Sequence, residues 1–157
     1  MTDCLIADSR SDGFQAGDQG LATFDHCTIV RNFGWGIPGP FKFSANVITS
    51  VIEDNRGDGY YSGRFGSCGA PEASITGSVF SNKGKHEVKI ENSNTWDFSS
   101  NYWGPKMTAE LKKNGPDGKM SKISDFRNDS NFGRVNLDDY LADRPRDCGA
   151  RELPKFR

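Results

Sequence analysis

Residues 4–14 (CLIADSRSDGF), 27–37 (CTIVRNFGWGI), 50–60 (SVIEDNRGDGY) and 78–88 (SVFSNKGKHEV) superimpose without a gap. A shortened fifth copy, WDFSSNYWG, starts at Trp96 and ends at Gly104. The copies begin 23, 23, 28 and 18 residues apart. A period in the low twenties is the length of one repeat of a solenoid, and such a period outranks any local propensity in deciding the fold.

The aligned columns have a physical logic. Cys4, Cys27, Ser50, Ser78 and Trp96 share the first. Two residues on, Ile6, Ile29, Ile52, Phe80 and Phe98 form an unbroken apolar file. Further along, Phe14, Ile37, Tyr60 and Val88 form a second, echoed two positions later by Ala16, Gly39, Ser62 and Ile90. Spacing by two is strand periodicity, so both files point into one core from two strands of each repeat. Between the files Ser9, Asn32, Asn55, Lys83 and Asn101 make a turn column. Asn tolerates left-handed backbone and can bond its counterpart on the next repeat. Gly13, Gly36 and Gly59 precede the second file and allow a sharp bend there.

These columns resemble the right-handed parallel β-helix of the pectin-lyase-like proteins. The resemblance extends to about Leu141. Its most specific part is the closing segment: Asn101-Tyr-Trp-Gly104, a short helical stretch near residues 108–113, ISDF at 123–126, and GRVNLDDYL at 133–141. Asp139 stands where that closing pattern usually has Pro. The expected fold is therefore all-β, a short right-handed solenoid of about five coils with an irregular, partly helical cap. Its parts are coils over 1–104, a capping segment over 105–141, and a loosely attached extended tail over 142–157. A sandwich of short strands is the alternative.

Composition narrows the function. The 157 residues carry 20 Lys+Arg and 21 Asp+Glu, with 34% hydrophobic residues. Near-neutral charge argues against a nucleic-acid binder, which carries a basic excess. Residues 105–157 are net +3 and residues 1–104 net −4, a mildly basic tail on an acidic body. No apolar run reaches the ~18 residues of a membrane span. MTDCLIADSR lacks a signal-peptide core, although the resemblance implies exported proteins, so the compartment stays open. Four cysteines without CxxC spacing and two histidines argue against zinc, and no cofactor is implied. Cys4 and Cys27, in one inward column, read as reduced thiols acting as small hydrophobes.

The resemblance implies carbohydrate, because a stacked-strand face can track a sugar chain. Asp12-Gly13-Phe14 and Asp58-Gly59-Tyr60 resemble the Asp-Gly context of glycosidases of this fold, with Trp35 between them and His86 beyond. Two coils at ~4.8 Å put Asp12 and Asp58 roughly 10 Å apart. That is just outside the ~6.5–9.5 Å of an inverting pair, and Asp-Gly is an ordinary turn pair. His86, in KGKHEVK, reads as exposed. The extra residues within 61–77 lengthen one coil, and Tyr61, Arg64 and Phe65 there join Trp35 as ligand-binding candidates. The expectation is a non-catalytic binding module whose partner is a glycan. A polysaccharide lyase or glycosidase using Asp12, Asp58 or His86 is one alternative, and a structural or assembly fragment is another. Only Met1, Thr2 and Asp3 precede the first inward residue, which predicts a homo-oligomer meeting through Cys4, Ile6 and Phe14, unless 142–157 folds back to cover that end.

Overall fold

The computed structural model describes residues 1–15, 19–39, 42–63 and 73–151. Among the described residues the chain is β-rich, with every strand pair parallel and one helix. Sheet I orders β1 (Leu5–Ala7), β3 (Thr28–Val30), β6 (Val51–Glu53) and β9 (Val79–Ser81). Sheet II orders β4 (Ile37–Gly39), β7 (Tyr60–Ser62), β10 (Val88–Ile90) and β12 (Ile123–Ser124). Sheet III orders β2 (Gln19–Asp25), β5 (Lys42–Ile48), β8 (Ala73–Thr76), β11 (Trp96–Asp97) and β13 (Val135–Asn136). From β3 to β11 the chain visits sheets I, II and III in rotation. Each strand lies beside its equivalent one repeat away.

The two apolar files fall where the two-residue spacing puts them. Ile6 pairs with Ile29, Ile29 with Ile52 and Ile52 with Phe80, and the last three are fully buried. Ile37, Tyr60, Val88 and Ile123 stack in sheet II. Each repeat contains a third strand that the columns did not reveal. Its inward residues in sheet III include Phe24, Val47 and Ile75, with Phe98 one residue past β11, all buried.

That third strand corrects the fifth repeat. Trp96 and Phe98 belong to sheet III, not under Ser78 and Phe80. The true equivalent of Ser78 is Asn101, 23 residues on, whose Oδ1 accepts the Ser78 N–H at 2.8 Å. Tyr102 bridges to Val79, and buried Trp103 stacks on Phe80 with ring centroids 5.0 Å apart. The period is thereby restored. A second correction concerns Lys83, because Asn82 takes the rung assigned to it. The fourth repeat lacks one residue after β9 and regains it before His86.

The ladder itself is continuous. Asn32 donates from its backbone N–H and Nδ2 to Asn55 Oδ1 at 3.1 and 2.9 Å, and Asn55 donates likewise to Asn82 Oδ1 at 3.2 and 2.9 Å. Each Nδ2 also caps a strand carbonyl, of Ile6, Ile29 and Ile52 in turn. The next rung is Glu87, whose carboxylate accepts from Asn82 and from Lys122 Nζ at 2.9 Å. Burial pushes the Glu87 carboxyl above its usual range, against the pull of Asn82 and Lys122. Between the ordinary value of 4.5 and the raised folded value, the native state binds more protons than the unfolded chain. Stability from this group is therefore fullest below 4.5 and falls as pH rises through that window. Urea midpoints from pH 4 to 7 are expected to lose this slope in Glu87→Gln. Parallel wild-type and variant curves would contradict it.

Left-handed backbone recurs at both corners of sheet I. Asp3, His26, Thr49, Gly77 and Ser100 enter it with φ of 49–61°, and Asp8, Arg31 and Asp54 leave it with φ of 55–59°. Asp139 has φ 52°, which a proline ring cannot adopt. The helix α1 (Gly104–Asn114) is longer than the expected 108–113 and buries Met107 and Leu111 against the core.

The tail is the largest departure from expectation. Sheet I carries a second apolar strip on its outer face, from Leu5, Ala7, Val30, Val51, Val79 and Tyr102. A parallel sheet is normally covered on both faces. Residues 144–151 supply cover, so this part of the tail is docked rather than loosely attached. Its contacts are with sheet I and its corners, and Cys4, Ile6 and Phe14 at the first repeat remain half-buried.

Candidate functional site

The candidate site lies on the outer side of sheet II and the turn that feeds it. Backbone hydrogen bonds place Asp12, Trp35, Asp58 and His86 at equivalent positions of successive repeats. Asp12 Oδ1 accepts the Trp35 N–H at 2.8 Å, and Asp58 Oδ1 accepts the His86 N–H at 2.8 Å. Both aspartates thus tie one repeat to the next. Asp58 Oδ2 also lies 3.2 Å from His86 Nδ1, with both side chains largely covered. His86 is not the exposed residue its lysine-rich setting suggested. The partner carboxylate draws it down onto the turn.

Trp35 is 38% exposed yet fixed in place. A Cβ on Gly57 would come within 2.6 Å of Trp35 Cδ1, so the indole lies directly over that glycine. One indole face stacks on Tyr61, with centroids 4.8 Å apart and planes at 29°. Tyr61 is only half-exposed. Its hydroxyl donates to Glu91 Oε2 at 2.9 Å, and Lys89 Nζ sits 5.4 Å from its ring centre while bridging to Glu91 at 2.8 Å. Trp35, Tyr61 and Lys89 therefore form one pile along the repeat axis, and Tyr61 is its filling rather than its contact surface. Lys89 and Glu91 were missed by sequence reasoning. The alternation Val88-Lys89-Ile90-Glu91 was the available signal, since it puts both charges outside β10.

Arg64 and Phe65 lie outside the described residues. Two residues before Trp35 in the chain, Phe33 is 59% exposed with the Arg56 guanidinium 4.2 Å from its ring centre. Among the described residues no cluster of three or more His, Cys, Asp or Glu is arranged to hold a metal. No helix among the described residues is long and apolar enough to cross a membrane. A cavity of about 210 Å³ opens at the start of α1 beside Ser81, Glu87, Lys106 and Lys122, but the Glu87 carboxylate there is committed to the ladder.

Comparison with known proteins finds no matching family model, no matching curated protein and no matching solved structure.

Proposed function

We propose that the chain is a short right-handed parallel β-helix of about five coils, related to the pectin-lyase-like proteins, that binds carbohydrate through the outer face of Trp35. The observation that carries this reading is the pinned indole. One face is backed by Tyr61, the ring rests on Gly57, and more than a third of the residue stays open to solvent. A ring held still can stack on the apolar face of a sugar without paying to order it.

The enzymatic reading rests on the Asp58–His86 pair, in which Asp58 fixes one imidazole nitrogen. Asp12 and Asp58 both serve as backbone acceptors, which favours binding over catalysis. A homo-oligomer formed through Cys4, Ile6 and Phe14 is compatible with either role.

Trp35→Ala is expected to weaken binding at least about tenfold for any oligosaccharide the wild type retains, the loss of one stacking contact of roughly 1.4 kcal/mol or more. Its melting temperature should fall modestly, because the stack on Tyr61 is lost while the residue 35 backbone N–H keeps its bond to Asp12. Titration of neutral and acidic oligosaccharides by calorimetry checks this. Unchanged affinity in the variant would move the site elsewhere, and release of shortened products by the wild type would favour the enzyme.

A further inference from the structure

The docked tail touches four successive repeats and is held by a defined set of contacts. Arg144 donates through Nη1 and Nη2 to the two oxygens of Glu53 at 2.6 and 3.0 Å. Arg151 makes the same forked contact with Asp3 at 2.7 and 2.6 Å. Between them, Cys148 Sγ donates to the Gly77 carbonyl at 2.9 Å, Gly149 N–H to the Thr49 carbonyl at 2.9 Å, and Ala150 N–H to Thr28 Oγ1 at 2.9 Å. The acceptors belong to the corners and edges of sheet I. Asp3, Thr49 and Gly77 take part through the left-handed corners that recur with each repeat. The seat between them is apolar. Gly149 is buried with φ 88°, and a Cβ there would meet Thr28 Oγ1 at 2.6 Å and Val51 Cγ2 at 3.0 Å.

Two carboxylates flanking an apolar strip, with open carbonyls between, describe a receptor for one kind of peptide. It must carry an arginine at each end for bidentate pairing, and a residue without a side chain at the point of closest approach. We propose that the outer face of sheet I is a peptide-docking groove, occupied in cis by residues 144–151 and open, when that segment is released, to the same segment of a second copy of the chain. Exchange of an identical element between copies needs no new contact, only release and recapture. Both arginine pairs are solvent-exposed, so recapture weakens as salt rises.

The test uses the full chain carrying Gly149→Val, which unseats the tail and leaves every groove residue intact. A fluorescent peptide of residues 142–151 (ADRPRDCGAR) is the probe. Saturable binding to the variant is expected, with binding to wild type at least about tenfold weaker because the groove is already filled. A peptide with glutamate in place of Arg144 and Arg151 should bind the variant at least about tenfold more weakly than the native peptide. A full chain with Arg144→Glu and Arg151→Glu repels the tail from Glu53 and Asp3, and should capture the native peptide as Gly149→Val does. No binding to either folded variant would overturn the proposal. So would equal binding to wild type, or indifference to the reversed charges.

Discussion

Ile52→Asp is expected to yield no folded protein. Ile52 is fully buried and stands in register with Ile29 on one side and Phe80 on the other, both equally buried. A carboxylate there meets no cation and no donor. It must either remain charged in an apolar stack or bind a proton at the cost of its ionisation, and it also empties part of the file. The penalty is several kcal/mol against a total stability of about 5–15 kcal/mol for a domain of this size. Circular dichroism and solubility on expression read the result. A soluble variant with an unchanged melting temperature would refute the register of sheet I.

Asn55→Ala should cost about 3 kcal/mol or more. The side chain is fully buried and serves four groups at once. Its Oδ1 accepts from Asn32 N–H and Nδ2, while its Nδ2 donates to the Ile29 carbonyl and Asn82 Oδ1. Truncation strands several of these partners with no water to replace it, and each unpaired buried group costs about 1–3 kcal/mol. The end rung is a useful contrast. Ser9 is half-exposed and uses its N–H on Asn32, so Ser9→Ala is expected to stay within about 1 kcal/mol. Equal urea midpoints for wild type and Asn55→Ala would mean that the ladder contributes nothing to stability.

Legibility in the sequence followed the chemistry of each element. The files of sheets I and II were readable because Ile29, Ile52, Ile37 and Val88 repeat at a spacing only strands explain. Sheet III was hidden because its inward positions mix alanine with large residues, as at Ala22, Ala45 and Phe24, and its strands sit beside the segments where repeat length varies. Without it, the aromatic cluster at Trp96 and Phe98 slid into the wrong column, although the 23-residue step to Asn101 was present. Asn82 was missed because a deletion and an insertion cancel between Ser78 and Val88, which a gap-free superposition cannot detect.

The site was legible in part. Trp35 and Tyr61 were singled out as aromatics on turns and loops, but their mutual stacking depends on register between repeats, as does the role of Lys89 and Glu91. The Asp58–His86 contact spans 28 residues and follows only once His86 is placed at the position of Asp58. Fold-back of 142–157 was readable only as an alternative, and the seat of the tail on sheet I was not. Arg151 and Asp3 are 148 residues apart, and nothing local in RPRDCGAR distinguishes a docked segment from a free one.

On the proposed reading, carbohydrate is held at Trp35. The chain has three tryptophans, of which Trp96 and Trp103 are buried and Trp35 is not. Their indole N–H resonances in a ¹H–¹⁵N spectrum therefore separate the surface from the core during titration with an oligosaccharide. The account predicts that the Trp35 resonance, assigned by its loss in Trp35→Ala, shifts in a saturable way while those of Trp96 and Trp103 stay in place. Saturable binding that leaves the Trp35 resonance unmoved would contradict it.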